Sequence, residues 1–236
     1  MSKGMHAGWP CTQEDAKVAV SVVLSDQVSE GGAVRFYIVA SAKPANDPQG
    51  EYNCHACAPA IAAAVFVWKS QRWTLESAKA AIEFAGGWGE PPSVELVAVG
   101  PEKHGLILSS DDEGQGFSSS FKSLLIPRGD TFENVWGIES ESDDNGAIDP
   151  DDKLKSPPLY SSSATFRFLP ASNGAEKSSG YYDIEVTSRG TSWEGPSHPV
   201  KPENWTELYR FSGGKYRLMR KTVLTGANNS GKVTHR

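Results

Sequence analysis

The sequence predicts a mainly β protein, an antiparallel β-sandwich or barrel-like fold with long loops and little helix. Three observations carry this. About a dozen runs rich in β-branched and aromatic residues recur along the chain. Clusters of Gly, Pro, Asn and Asp separate them, drawn from 23 glycines and 15 prolines in 236 residues. Crossover helices, which parallel strands would need, are missing between the runs. A propeller-like repeat of β-hairpins is the alternative: "FVWKSQRWTL" and "YRFSGGKYRL" both set aromatics on either side of a short turn.

The elements follow in order. Val18 to Leu24 is a β-branched run, "VSEGG" a turn, and Ala33 to Ala42 its partner strand. "KPANDPQGEYN" is a loop by composition. Ala62 to Lys69 and the segment from Trp73 flank "SQR" as a hairpin. Residues 74–85, "TLESAKAAIEFA", hold strong helix formers but also alternate, with Ala78, Ala80, Ile82 and Phe84 on one face. Their strand-like flanks favour a strand. After the break "GGWGEPP" come Val94 to Val99, Gly105 to Ser109, Phe117 to Ile126 and Phe132 to Glu139. The turns "GPEKHG", "DDEGQG" and "PRGD" lie between them. Residues 139–158 read as a long acidic loop. Tyr160 to Leu169, Tyr181 to Ser188, Trp205 to Phe211 and Lys215 to Lys221 complete the strands. Residues 1–16 read as a disordered or non-native start. Residues 17–221 read as one β-rich domain, with any division into two lobes falling near 140–158, and residues 222–236 as a flexible tail.

Composition narrows the function classes. Apolar residues are 38% and charged residues 22%, an ordinary globular balance, and the net charge is −6. A nucleic-acid-binding domain shows a basic patch. Here the one basic concentration, Lys215, Arg217, Arg220 and Lys221, alternates along a predicted strand and reads as a solvated face. No nucleic-acid partner is expected. No run approaches the ~18 apolar residues of a membrane-spanning helix, so no membrane span is expected either. "MSKGMHAGWPC" lacks the apolar core of a signal peptide, which leaves a cytoplasmic chain or one whose signal has been removed.

Chemistry concentrates first in Cys54-His55-Ala56-Cys57. A zinc site needs four ligands, and Cys11 and the histidines stand at no zinc-finger spacing. A c-type haem needs its histidine after the second cysteine, where Ala58 stands. A thiol oxidoreductase places such a pair at a helix N-terminus that lowers the thiolate pKa. Here a polar loop leads in, and "AAAVFVW" follows as a strand. A small structural disulfide between Cys54 and Cys57, with Cys11 unpaired, is the expected state. No cofactor and no metal is expected.

The segments "NCHACAPAI", "AVF", Trp73-x-Leu75-Glu76, "GGWG" and "GPEKHG" together resemble exported bacterial β-rich proteins that carry a CHACAP-type segment. The resemblance spans about residues 35–126, with a weaker echo in "GYYDIEVTSRGT" and "YRFSGGKY". It implies a periplasmic or secreted setting and no particular activity.

Other candidate residues lie in turns. Glu139 to Asp152 holds seven carboxylates. Asp143 and Asp144, with Asn145 and Asp149 around Gly146, offer oxygen ligands, but without the regular spacing a calcium cage requires. This loop is expected to be solvent-exposed and to bind no calcium tightly. Asp111 and Asp112, in "SSDDEGQGF", read as a second acidic turn. Trp88 in "GGWGEPP" and Trp193 in "TSWEGPSHP" place large rings in loops, as binding anchors often are. No G-x-S-x-G elbow, H-E-x-x-H or P-loop in a strand-to-helix context is present, so no catalytic residue is assigned.

These features favour a non-enzymatic exported protein that binds a macromolecular partner, an inhibitor or immunity-type protein, through its loop aromatics and acidic surface. The partner is expected to be a protein, and a basic one. The competing expectation is a cell-envelope enzyme, either a carbohydrate-active hydrolase or a Cys-x-x-Cys thiol oxidoreductase.

Overall fold

The structure is a computed structural model that describes residues 17–45, 54, 56–114, 116–144, 160–170, 180–192 and 200–224. The described residues contain thirteen strands and no helix. Accordingly, none of them forms a helix long and apolar enough to cross a membrane.

Strands β1 (Val18–Glu30), β2 (Ala33–Pro44), β3 (Ala60–Lys69) and β4 (Arg72–Phe84) form a four-stranded antiparallel sheet in chain order. Two-residue turns close two of its hairpins. Gly31–Gly32 and Ser70–Gln71 both have positive φ at each central residue, the geometry that matches the right-handed twist of paired strands. Glycine adopts it freely, whereas Ser70 and Gln71 adopt it because the pairing Trp68↔Trp73 and Lys69↔Arg72 fixes the turn. Residues 74–85 are therefore extended as expected, and β4 runs the length of β3.

A second sheet begins with β5 (Ser93–Gly100), β6 (Lys103–Gly114), β7 (Phe117–Arg128) and β8 (Thr131–Asp143). It continues through β9 (Ser161–Leu169), β10 (Asp183–Ser192), β12 (Trp205–Ser212) and β13 (Lys215–Val223), with the short β11 (Lys201–Pro202) on β10. β8 and β9 pair only over Glu141↔Ser163 to Asp143↔Ser161. Beyond that short junction the second half of the sheet packs back over the first. Trp136 of β8 meets Phe166 of β9 at 5.2 Å between ring centroids and Tyr209 of β12 at 6.2 Å.

Two cores result. One lies between the small sheet and β5–β8, built on Tyr37, Val39, Ile61, Val65, Leu106, Leu108 and Leu125. The other lies between β5–β8 and the β9–β13 half, built on Ile107, Leu124, Ile126, Trp136, Ile184 and Val186. The middle strands are covered on both faces, which is why "LIL" at 106–108 and "LLI" at 124–126 are continuous apolar runs. The architecture is sandwich-like with long antiparallel strands. Neither sheet closes into a barrel: β1 and β4 are edges of one, β5 and β13 of the other. Two antiparallel sheets, each with its long strands in chain order, replace the radial blades of the propeller alternative.

Two expectations are corrected. Asp111 to Glu113 are not a turn: they lie in β6 and pair with Ser118 to Ser120 of β7. The acidic stretch is also not a solvated loop from its start. Residues 139–143 are the end of β8, Ser140 is buried, and Asp144 is 0% exposed. Pairing with β7 on one side and β9 on the other keeps this end extended. Residues 145–159, which include Asn145, Gly146 and Asp149, lie outside the described residues, as do Cys11 and Trp193.

Candidate functional site: an acidic groove beside a clamped tryptophan

Cys54 and Cys57 form a disulfide with Cα atoms 5.0 Å apart. Strand β3 begins three residues later, so the helix N-terminus that would activate a thiol does not follow the pair. The small loop acts as a clamp. Its carbonyls accept backbone bonds from the "GGWG" knuckle: Trp88 N–H donates to Cys54 O at 3.1 Å and Gly89 N–H to Cys57 O at 2.8 Å. Lys43 adds a bond from Nζ to Gly89 O at 3.0 Å. Gly86 turns the chain into this knuckle at φ +98. A Cβ there would sit 2.0 Å from Glu90 O, so only glycine fits.

Trp88 at the tip has φ +56 and is 54% exposed. A bulky residue in the left-handed region is a strained arrangement that the surrounding structure must enforce, and such strain clusters at binding and active sites.

Next to the knuckle lies an open groove of about 590 Å³. It runs between the end of β4 and strands β6, β7 and β8, and Ala56 of the disulfide loop and Gly86 form part of its wall. Four acidic residues, Glu83, Asp111, Asp112 and Glu139, and one basic residue, Lys122, form part of its wall. Asp111 Oδ1 accepts from Ser120 Oγ at 2.6 Å. Glu83 ties the small sheet to the middle strands, accepting from Ser123 Oγ at 2.6 Å and from Asn134 Nδ2 at 2.7 Å. Lys122 donates from Nζ to Ser109 Oγ at 2.8 Å. Phe84 and Phe121, both exposed, supply apolar surface among these charges.

The structure thus places Asp111 and Asp112 on the cleft wall, where alternation along β6 puts Asp112 on the Leu108 face and Asp111 on the Ile107 face, with Trp88 on the bordering knuckle. It does not bring in Asp143 or Asp144, neither of which lines the groove. Asp143 Oδ2 accepts from Ser118 Oγ at 2.8 Å, and Asp144 Oδ1 from Tyr160 N–H at 2.8 Å. Their ties hold the β7–β8–β9 edge together. Glu83, Phe84, Phe121 and Lys122 were not singled out from sequence. The one sequence signal was Phe84 on the alternating face of residues 74–85, just before "GGWG".

A second pocket of about 360 Å³ opens where β8 and β9 diverge. Serine hydroxyls (Ser142, Ser162, Ser163), Glu203 and Glu207, and the rings of Tyr160 and Trp205 line it. Glu207 is buried. It accepts from Tyr209 O–H, and Lys221 Nζ lies 3.0 Å from its other oxygen and 3.8 Å above the Trp205 ring.

Comparisons with protein-family models, curated proteins and solved structures gave no match.

Proposed function

We propose that this chain is a non-enzymatic protein that binds a macromolecular partner, and that the groove seats a cationic segment of that partner, as an inhibitor or immunity-type protein does. The observation that carries this is a groove whose wall includes the acidic residues Glu83, Asp111, Asp112 and Glu139 together with exposed Phe84 and Phe121, beside the strained, clamped Trp88. Carboxylates steer a basic segment and fix its register, while rigid aromatic rings supply contact area at low entropic cost. The disulfide supports a periplasmic or secreted setting, because such bonds persist in oxidising compartments.

Short peptides alternating Lys or Arg with aromatic residues test the groove, with neutral and acidic peptides as controls. The cationic peptides should bind best. The double variant Asp111→Asn, Asp112→Asn and the single variant Trp88→Ala should each weaken binding about 10-fold or more, one to three kcal/mol being the ordinary worth of an anchor. Equal affinity for neutral peptides, or indifference to both variants, would discard the reading.

The second pocket favours one other reading, a carbohydrate-active hydrolase, because it combines glutamates, hydroxyls and aromatic rings. That reading requires turnover of a glycoside that Glu203→Gln abolishes. The groove reading requires no turnover and no effect of that substitution on peptide binding.

A further inference from the structure

We propose that the protein forms a two-fold dimer through the outer face of its four-stranded sheet. This is independent of the groove reading, since it concerns a different surface.

The face follows from register. In β2 and β3 the inward residues are Tyr37, Val39, Ile61, Ala63 and Val65, all in the first core. Their alternating neighbours point away from it. In β1 the register shifts between Val22 and Leu24. That bulge turns Leu24 and Val28 toward the core and leaves Val18, Val20 and Val22 outside.

Reading across the sheet, the outward rows are uncharged. One end is shallow: Val22 pairs with Ala40 and Ala40 with Ala62, while Val20 pairs with Ala42. Ile38 and Ala64 are paired in the middle. The other end is a ridge of rings. Phe36 pairs with Phe66, Phe66 with Leu75, and Trp68 with Trp73. Trp73 also lies against Phe36, at 5.9 Å between centroids. Val20 is 65% exposed and Leu75 55% exposed on the outer strands, with Trp68 and Trp73 exposed at the ridge, while Phe36, Ile38, Ala40, Ala62, Ala64 and Phe66 between them are half-buried.

A ridge and a hollow on one face make that face complementary to itself. A two-fold axis in the plane of the face, crossing the strands near Ile38 and Ala64, lays the ridge of each copy on the alanine hollow of the other. Phe66 then faces Ala62 and Phe36 faces Ala40, in both directions at once, as an isologous contact requires. Four strands about 4.8 Å apart and about eight residues at ~3.3 Å each give a footprint of roughly 500 Å² per copy. The pair buries on the order of 1,000 Å², at the lower threshold for a specific interface and in the range of a weak, concentration-dependent dimer. The net charge of −6 argues for the same surface. Two acidic chains approach most readily where neither presents a charge.

Sedimentation of the full chain between 1 and 100 μM tests this. The expected mass is twice 25.4 kDa at the upper concentrations. Leu75→Lys, at an exposed position, should raise the dimer dissociation constant at least 10-fold, whereas Val223→Lys on the outer strand β13 should leave it unchanged. Ala62→Lys and Phe66→Glu should each sediment as monomers. An equimolar mixture of the two should recover a dimer, because the ammonium introduced on one chain then meets the carboxylate introduced on the other. Unchanged far-UV circular dichroism verifies folding in each case. A wild type that stays monomeric at 100 μM overturns the proposal, as does a dimer indifferent to Leu75→Lys. Two monomeric single variants that do not recover on mixing overturn the two-fold arrangement.

Discussion

Trp88 carries two opposed demands. Its backbone sits at φ +56, which costs a side-chain-bearing residue about 1–2 kcal/mol, while the residue stays 54% exposed. The knuckle hydrogen bonds to Cys54 and Cys57 hold it there. Glycine at this position would remove the strain, whereas alanine would keep it. Trp88→Gly should therefore be more stable than Trp88→Ala by about 0.5–1 kcal/mol, after allowing for the greater unfolded-state freedom of glycine. Both should lose the proposed peptide binding. Urea midpoints at equal slope make the comparison, and an alanine variant at least as stable as the glycine one would show that the knuckle does not impose this geometry. Gly86 is the converse. Gly86→Ala drives a methyl into Glu90 O and should cost about 1–3 kcal/mol, read as a lower urea midpoint.

Among the elements, legibility tracked burial. Apolar alternation or continuity exposed the inner parts of β2, β3, β6 and β7, because one or both faces there meet a core. The outer ends of β6 and β8 read in the sequence as turn and loop but are strand. Asp111 to Glu113 and residues 139–143 are polar on both faces, so backbone pairing alone keeps them extended, and pairing leaves no periodic trace. Asp111 and Asp112 were recognisable singly. That they share a groove wall with Glu83 is not legible, since it depends on how one sheet packs on another. Arg35 and Glu76 show the same non-locality. Arg35 of β2 reaches past β3 to grip Glu76 of β4, from Nε at 2.6 Å and from Nη2 at 3.0 Å. That hydrogen-bonded fork holds the Glu76 carboxyl below the usual carboxylate range, against the opposing effect of partial burial. A lowered folded-state pKa stabilises the fold fully above the unfolded value of about 4.3, and the contribution is lost as pH falls through the lower folded value. Glu76→Gln should thus destabilise by about 1–3 kcal/mol at pH 7. The gap to wild type should shrink below about pH 4. A gap in urea-derived stability that stays constant down to pH 2 would contradict this.

At the scale of the whole molecule, the two cores share their middle layer, and that determines how the protein unfolds. Leu108 and Ile107 are neighbours on β6, yet Leu108 packs toward the small sheet and Ile107 toward the β9–β13 half. Unfolding either outer layer strips one face of β5–β8. Those strands then expose the apolar run that made them readable as fully covered. Two lobes dividing near 140–158 would predict something else, because the β8–β9 junction pairs only three residues of each strand. If that junction were a domain boundary, calorimetry would resolve two transitions, and a cavity in one core would move only one of them. The shared layer predicts a single transition whose calorimetric and van't Hoff enthalpies agree. Leu108→Ala and Ile107→Ala should each cost about 2–5 kcal/mol, the range for deleting a large aliphatic side chain from a packed core. Each should shift that one transition as a whole. Trp136, buried in the second core, reports the outcome locally. Its indole N–H resonance, resolved from those of the other tryptophans by NMR, should vanish at the lowered midpoint in Leu108→Ala, although Leu108 lies in the other core. A Trp136 signal that kept the wild-type midpoint in Leu108→Ala would establish two independently folding lobes.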